Sequence, residues 1–165
     1  MSALNRNKKT LLIGIGNDGR GDDALGWLFA DRFAECRDLE VIYRYQLQVE
    51  DAELISAYEQ VIFVDASVLE MEKGFSFQPC LPVASVHFST HKVDPGTILW
   101  LAREMYQSAV QGYILAIQGY EWELQQGLSE KATQHFQQAF LYFEKHVLPA
   151  ITAEFVPLMH TSDPI

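Results

Sequence analysis

The stretch from Thr10 to Gly26, TLLIGIGNDGRGDDALG, contains an apolar run, a glycine-rich loop and the start of an amphipathic pattern. A short apolar run bounded by glycine is typical of a β-strand that is buried on both faces. From Asp22 to Cys36, apolar side chains recur at helical spacing, which predicts a helix with one buried side. The stretch therefore predicts a strand, a loop and a helix, the opening unit of a parallel sheet.

The rest of the chain continues this alternation of apolar strands and amphipathic helices. Further strands are predicted over 41–45, 61–64, 75–80 (an edge strand) and 113–117, and further helices over 50–58, from Asp94 onward and from Ser129 to 147. Asp94 and Ser129 are expected to cap their helices. The pattern predicts an α/β fold with a mostly parallel sheet and helices on both faces. We expect a single domain over 1–165, with a core at 10–150 and a loosely held tail at 151–165.

The composition is that of a packed domain with an acidic surface. The chain has 165 residues, of which 48% are hydrophobic, and its net charge is −10. An excess of acidic residues disfavours nucleic acid and anionic membranes as partners. The apolar runs are shorter than the roughly 20 residues that span a bilayer, and Cys36 and Cys80 form no disulfide or CxxC pattern. We therefore expect a cytoplasmic protein that contacts neither nucleic acid nor membrane.

The glycine-rich loop has two interpretations. Gly14–Gly19 matches the GxGxxG pattern of dinucleotide-binding sites, in which a helix begins within the motif and its N–H groups bind the pyrophosphate. Here Asp22 and Asp23 occupy the predicted helix start, where carboxylates compete with a phosphate. The segment after the second strand also lacks the acid that would bind a ribose. Nucleotide binding is therefore the less favoured interpretation, and one of the two aspartates is expected to cap the helix.

Three side chains are predicted to meet beyond the carboxyl ends of the strands. Asp23 lies in the first loop, Asp65 directly follows the apolar run VIFV, and His91 precedes the third helix. Each has an ordinary alternative role, as a helix cap, a turn residue or a solvated loop residue. Together, two carboxylates and one imidazole suit a divalent ion such as Zn, Ni, Co or Mn with open coordination positions. His87 is a rival nitrogen donor, and Asp22 could replace Asp23.

Four segments resemble the hydrogenase maturation endopeptidases, which remove a C-terminal extension from the large subunit of nickel–iron hydrogenases. The most specific is GIGNDGRGDDALG, with the family's glycine–asparagine loop, acid pair and glycine; the others are VIFVDA, STHKVDPGTILWLA and AIQGYEWELQQGLSEKA. The resemblance spans about residues 10 to 147. It implies a three-layer fold with a twisted five-stranded sheet between helices.

The resemblance also implies roles for the three side chains. In that family, an acid of the first loop, an acid after the middle strand and a histidine bind nickel, and the matching positions are Asp23, Asp65 and His91. The same residues are the expected catalytic groups of an aspartyl endopeptidase-like hydrolase. Nickel is supplied by the substrate, the hydrogenase large-subunit precursor, and reports that metal loading is complete. Another divalent metal could bind in vitro.

Two segments depart from the family pattern. Residues 45–50, YQLQVE, replace an aspartate–glycine-rich turn, and Gln118-Gly119-Tyr120 stands where many relatives have a proline. Neither departure removes a predicted ligand, but the first lies close to the predicted site and leaves substrate docking open. The sequence does not separate cleavage from nickel-dependent binding of the precursor without cleavage. A nucleotide-binding α/β domain is the third alternative.

Overall fold

The computed structural model describes residues 9–84 and 93–152, and its centre is a five-stranded sheet. The strands are β1 (Thr10–Ile15), β2 (Leu39–Arg44), β3 (Gln60–Ser67), β4 (Phe75–Cys80) and β5 (Gln111–Gln118). Their order is β2-β1-β3-β5-β4, and of these five β4 alone runs antiparallel, at the edge. The mostly parallel sheet and the edge strand confirm the prediction from sequence.

Helices connect these strands. A short 3₁₀ helix, Gly21–Ala24, leads into α1 (Leu25–Asp31); the others are α2 (Asp51–Ser56), α3 (Pro95–Tyr106) and α4 (Glu130–Tyr142), which continues through a π-helical turn into α5 (Leu148–Thr152). The first helix is shorter than predicted, since the chain forms turns after Asp31. Most of the tail predicted to be loosely held lies outside the described residues. Over 9–84 and 93–152, no helix is both long and apolar enough to cross a membrane.

The helices cover the two faces of the sheet and make three layers. Because successive side chains of a strand point to opposite faces, each strand contributes to two cores. One core lies under α1, α4 and the π-helical turn and includes Phe29, Phe143 and Leu12. The other lies under α2 and α3, where Ile55 and Ile98 contact the opposite face. Burying each such side chain contributes about 1.5–3 kcal/mol, so both layers are held mainly by apolar contact.

The start of α3 differs in detail from the prediction. Pro95 is the first residue of the helix, as expected, but the Asp94 side chain makes no capping hydrogen bond. Its main-chain carbonyl accepts the N–H of Ile98 instead, at 3.1 Å. Met105 continues the helical spacing of the buried Ile98 and Ala102, yet it is 56% exposed, because it lies in the last turn beside the exposed Tyr106. Ser129 does cap α4, accepting the N–H of Ala132 at 3.2 Å.

Candidate functional site

The carboxyl ends of β1 and β3 border a crevice. This is the topological switch point of the sheet, where the connections from neighbouring strands lead in opposite directions. From β1 the chain moves outward to β2, and then returns across the sheet to β3 on the other side. The pairing of β1 with β3 ends at Gly14 opposite Val64, whereas β3 continues beside β5 as far as Ser67. Asp65 therefore lies just past the last β1 partner, at the opening. In open α/β sheets, ligands bind at such switch points.

A cavity of about 230 Å³ occupies this crevice. Its walls are formed by residues at or after the carboxyl ends of β1, β2 and β3 and by residues around the start of α3: Ile15, Gly16, Asp23, Tyr45, Gln46, Leu47, Asp65, Val93 and Pro95. Two of the three predicted site residues, Asp23 and Asp65, are therefore brought together. His91 lies outside the described residues, and its role stays a prediction. Val93, two positions later in the sequence, lines the cavity.

The described part of the cavity offers two carboxylates as metal ligands. Over 9–84 and 93–152, no three His, Cys, Asp or Glu side chains lie close enough together to hold a metal ion. The carboxylates of Asp23 and Asp65 are of the chemical type that would suit a divalent cation with other ligands of its own. A third protein ligand would have to come from residues such as His91. The metal role of all three side chains remains a prediction.

Main-chain contacts fix the loop that carries Asp23. The carbonyl of Asp23 accepts the N–H of Asn17 at 3.0 Å, and its own N–H donates to the carbonyl of Arg20 at 3.1 Å. Gly16 has a φ of +144°, and a Cβ at this position would collide with the carbonyl oxygen of Asp23. The glycine is required here because β1 and the turn that carries Asp23 approach each other this closely.

The neighbouring Asp22 is fully buried and has a different environment from Asp23. Its carboxylate accepts four hydrogen bonds, from the N–H groups of Tyr120 (2.7 Å), Glu121 (2.9 Å) and Ser129 (2.7 Å) and from the Ser129 hydroxyl (2.7 Å). The expectation that one of the two aspartates caps the first helix was wrong: neither the 3₁₀ turn nor α1 has a side-chain cap. Asp22 instead binds the segment between β5 and α4.

These contacts keep the Asp22 carboxyl ionised. Burial by itself raises the pKa of Asp22, but the hydrogen bonds from Ser129, Tyr120 and Glu121 favour the charged form more, so the pKa lies below its ordinary value. A fully buried carboxylate with both oxygens hydrogen-bonded to the protein is poorly placed to bind a cation. Of the two adjacent acids, Asp23 is the one that lines the cavity.

The loop after β1 is also joined to the loop after β5 by main-chain hydrogen bonds. The N–H of Gly21 donates to Gln125 at 3.0 Å, the N–H of Asp22 to Glu121 at 2.7 Å, and the N–H of Gln125 to Gly19 at 3.2 Å. In a dinucleotide site, amides at the start of the first helix would bind a pyrophosphate. Here those of Gly21 and Asp22 are bound by carbonyls, which disfavours the nucleotide-binding alternative.

The opposite wall of the cavity is the loop after β2, the segment that departs from the family pattern. Tyr45, Gln46 and Leu47 line the cavity, and Leu47 is buried. The ring of Tyr45 is 67% exposed and lies 4.9 Å from the ring of Trp27. Trp27 is itself fixed, since its indole N–H donates to the Arg44 carbonyl at 3.0 Å. This segment therefore forms a wall with an ordered aromatic side chain.

A buried aspartate holds this second loop. Asp51, at the start of α2, accepts a hydrogen bond from Arg44 Nε at 3.0 Å and from the N–H of Gln48 at 2.9 Å. Arg44 is the last residue of β2, and its carbonyl also accepts the N–H of Gly16 at 2.9 Å. The loop after β2 is thus held at its start by Arg44 and at its end by Asp51, and Arg44 also binds it to the end of β1.

Sequence reasoning missed these supporting residues. The partners of Asp22 lie 98 to 107 residues further along the chain, so no local spacing indicates them. For Asp51, a signal was present: an aspartate at the start of a predicted helix, seven residues after an arginine at a strand end. Tyr45 could have been found as an aromatic residue in a polar loop at the ligand edge.

Comparisons with known proteins were made by sequence and by structure. The chain matches no protein-family model and no curated protein sequence. Its structure is similar to that of the [NiFe] hydrogenase maturation protease HycI from Thermococcus kodakarensis KOD1, with a TM-score of 0.62 and 28% identity, covering 83% of this chain and 91% of that chain.

Two more distant structures share the same fold. The hydrogenase maturating endopeptidase HybD from E. coli gives a TM-score of 0.61 at 13% identity, covering 83% of this chain and 93% of that chain. The hydrogenase 2 maturation peptidase from Thaumarchaeota archaeon SCGC_AB-539-E09 gives 0.58 at 21%, covering 84% and 97%. The chain has the fold of these maturation proteases, which confirms the resemblance identified from its sequence.

Proposed function

We propose that this chain, which has the fold of the hydrogenase maturation proteases, is an endopeptidase that removes the C-terminal extension of a nickel–iron hydrogenase large-subunit precursor. The observation that carries the proposal is the shared cavity of Asp23 and Asp65 at the switch point of this fold. The similarity to HycI, at 28% identity over most of both chains, supports the same assignment. The substrate is a protein, and the nickel ion is part of that substrate.

Nickel recognition would use open coordination positions on the ion. A nickel ion bound by the precursor's own ligands could accept the carboxylates of Asp23 and Asp65, together with the His91 imidazole. Such a bridge adds binding energy only after nickel has been inserted, so it would make metal loading the condition for binding. The protein's net charge of −10 favours the approach of a cation without selecting one precursor over another.

The hydrolytic step would use water as the nucleophile. Among the described residues that line the cavity, none is a serine, threonine, cysteine or lysine that could attack a peptide carbonyl. Two routes are compatible with these residues: a carboxylate such as that of Asp23 activates a water molecule, or the substrate's nickel polarises the scissile carbonyl. Both routes require Asp23 and Asp65, whether as base or as nickel ligands.

The test compares cleavage of two forms of the precursor. Nickel-loaded and nickel-free precursor are each incubated with the protein, and the products are weighed by mass spectrometry. Only the nickel-loaded form should lose its extension. Asp23→Ala and Asp65→Ala should each slow that cleavage by at least about 100-fold, the usual contribution of a general acid or base.

Asp18→Asn is the matched control, because Asp18 is an exposed acid of the same loop that does not line the cavity. It should cleave as the unchanged protein does. Equal cleavage of the nickel-free precursor would overturn the nickel-reading part of the proposal. Nickel-dependent binding of the precursor without any cleavage would favour the alternative of a non-cleaving partner, which uses the same residues.

A further inference from the structure

We propose that Asp22 is a positioning residue, which holds Asp23 at the cavity by anchoring its loop to the segment between β5 and α4, without itself touching nickel or substrate. The inference rests on the proposed function, in which Asp23 is a nickel ligand. It assigns separate tasks to two adjacent acids that the sequence could not distinguish.

The first support is the distribution of the Asp22 contacts. All four hydrogen bonds to its carboxylate come from residues 120–129, and none comes from its own loop. The side chain is fully buried, whereas Asp23 is half-buried and lines the cavity. A distant part of the chain therefore helps to set the position of the β1 loop.

The second support is the close packing around Asp22. A Cβ on Gly119 would lie 2.8 Å from the Asp22 Cβ and 2.9 Å from the Trp122 ring, so the side chain has no room to shift towards β5. The Asp22 N–H donates to the Glu121 carbonyl at 2.7 Å, which fixes the main chain at the same point. Asp22 is thus held through both its side chain and its main chain.

A displacement of Asp22 reaches Asp23 through the main chain, without any further contact. Consecutive Cα atoms are about 3.8 Å apart, so a displacement of Asp22 moves its neighbour. Without the carboxylate, the N–H groups of Tyr120, Glu121 and Ser129 would lose their acceptor, and the contact between the two loops would have to shift for water to reach them. A metal ligand displaced by about 1 Å no longer meets the bonding distance of about 2 Å.

The experiment measures Ni²⁺ binding to the full-length chain by calorimetry, without precursor. Asp22→Asn keeps the shape of the side chain but places an amide against one N–H donor. It should weaken Ni²⁺ binding by about 10-fold or more, the usual effect of a residue that supports a metal ligand. Asp23→Ala should weaken it further. Binding is compared at a temperature at which circular dichroism shows each variant to be folded.

Two further variants separate positioning from stability. Ser129→Ala removes the cap of α4 and one of the four donors but leaves three N–H bonds to Asp22. It should destabilise the protein while Ni²⁺ binding stays within about 2-fold of the unchanged chain, well below the effect of a lost support. Gly119→Ala leaves every acid in place but presses on Asp22. It should weaken Ni²⁺ binding, and it serves as the test if Asp22→Asn does not fold.

Each outcome decides the inference. Unchanged binding in Asp22→Asn, or in Gly119→Ala when Asp22→Asn does not fold, together with weakened binding in Asp23→Ala, would show that Asp22 only stabilises the fold, and the proposed function would stand. Loss of binding in Asp22→Asn with unchanged binding in Asp23→Ala would make Asp22 the ligand. Unchanged binding in Asp23→Ala and Asp65→Ala would overturn both the inference and the nickel site.

Discussion

The two loops that form opposite walls of the cavity are each held by a buried aspartate, but the two aspartates differ in what they bind. Asp22 anchors the loop after β1 through four donors that are main-chain N–H groups or a hydroxyl, all about 100 residues away. Asp51 anchors the loop after β2 through Arg44 and the N–H of Gln48, three to seven residues away. The contacts of Asp22 are therefore long-range and come from uncharged donors, whereas the contacts of Asp51 are local and include the charged Arg44.

The difference determines what each anchor contributes. The Arg44 side chain is 35% exposed, so water competes for it and its ion pair with Asp51 is of modest strength. The donors to Asp22 cannot turn to solvent without opening the contact between two loops. We therefore infer that Asp22 fixes the tertiary arrangement, whereas Asp51 shapes a single loop.

Replacing Asp22 with alanine should have the largest effect on stability. Three main-chain N–H groups would lose their acceptor, each at a cost of about 1–3 kcal/mol, and partial rehydration would leave a total loss of roughly 4 kcal/mol in the free energy of unfolding. Urea denaturation followed by circular dichroism measures this loss. A loss below about 1 kcal/mol would place Asp22 with ordinary surface residues and remove the distinction between the two anchors.

Replacing Asp51 with alanine should cost less, about 1–2 kcal/mol. Arg44 can extend into water, and Gln48 lies in an exposed loop where its N–H can be hydrated. The same denaturation experiment applies, with Glu50→Ala as the control, since Glu50 is an exposed acid next in sequence to Asp51. If Asp51→Ala lowers the free energy of unfolding as much as Asp22→Ala does, local and long-range contacts contribute equally to stability.

The contribution of Asp22 should also depend on pH. Its pKa is lower in the folded protein than in the unfolded chain, so the folded state binds the proton less well. The stabilisation is present above the unfolded pKa, about 3.9, and is lost as the pH falls below that value through the folded pKa. Denaturation midpoints between pH 2 and 6 measure this loss, and it should be smaller in Asp22→Asn. If the denaturation midpoint depends on pH in the same way in the unchanged protein and in Asp22→Asn, the pH-dependent stabilisation does not come from Asp22.

The smallest effect concerns Tyr43, whose ring lies 5.6 Å from Trp27, the residue on which Tyr45 of the second wall packs. The Tyr43 hydroxyl donates to Asp31 at 2.7 Å, and burial together with that carboxylate raises the pKa of Tyr43 to about 12. Its contribution to stability is complete below pH 10 and is lost as the pH rises towards 12. Absorbance titration should show a component that ionises late, and Tyr43→Phe should lower the amplitude of that component by one tyrosine. An unchanged amplitude in Tyr43→Phe would assign the component to other tyrosines.

The fold was predictable because its signals are local. The apolar runs of β1 and β3, the proline at the start of α3 and the Ser129 cap each lie within a few residues, and each was found by its pattern. The position of Asp65 followed from the same logic, since a buried parallel strand must emerge at the ligand edge. These features depend on interactions between residues that are close together in the sequence.

The rest of the site depends on residues that meet only after folding. No spacing within GDDALG indicates which aspartate is buried, because the answer is given by Tyr120, Glu121 and Ser129. The 45–50 segment reads as a polar loop, yet it becomes a cavity wall because Tyr45 packs on Trp27 of another element. Met105 fits the helical stripe, but its turn lies at the exposed end of α3.

The anchoring of the first loop by residues near the end of the domain has a consequence for the order of assembly during translation. The loop with Asp23 is made early, but its anchors are made only when Ser129 has left the ribosome. A nascent chain that has already formed β1 and β3 would still lack every donor to Asp22. Contacts of such long sequence separation form late in folding. A cavity with Asp23 held in position would therefore form only after the chain has been made past Ser129, and a product stalled earlier would lack these contacts.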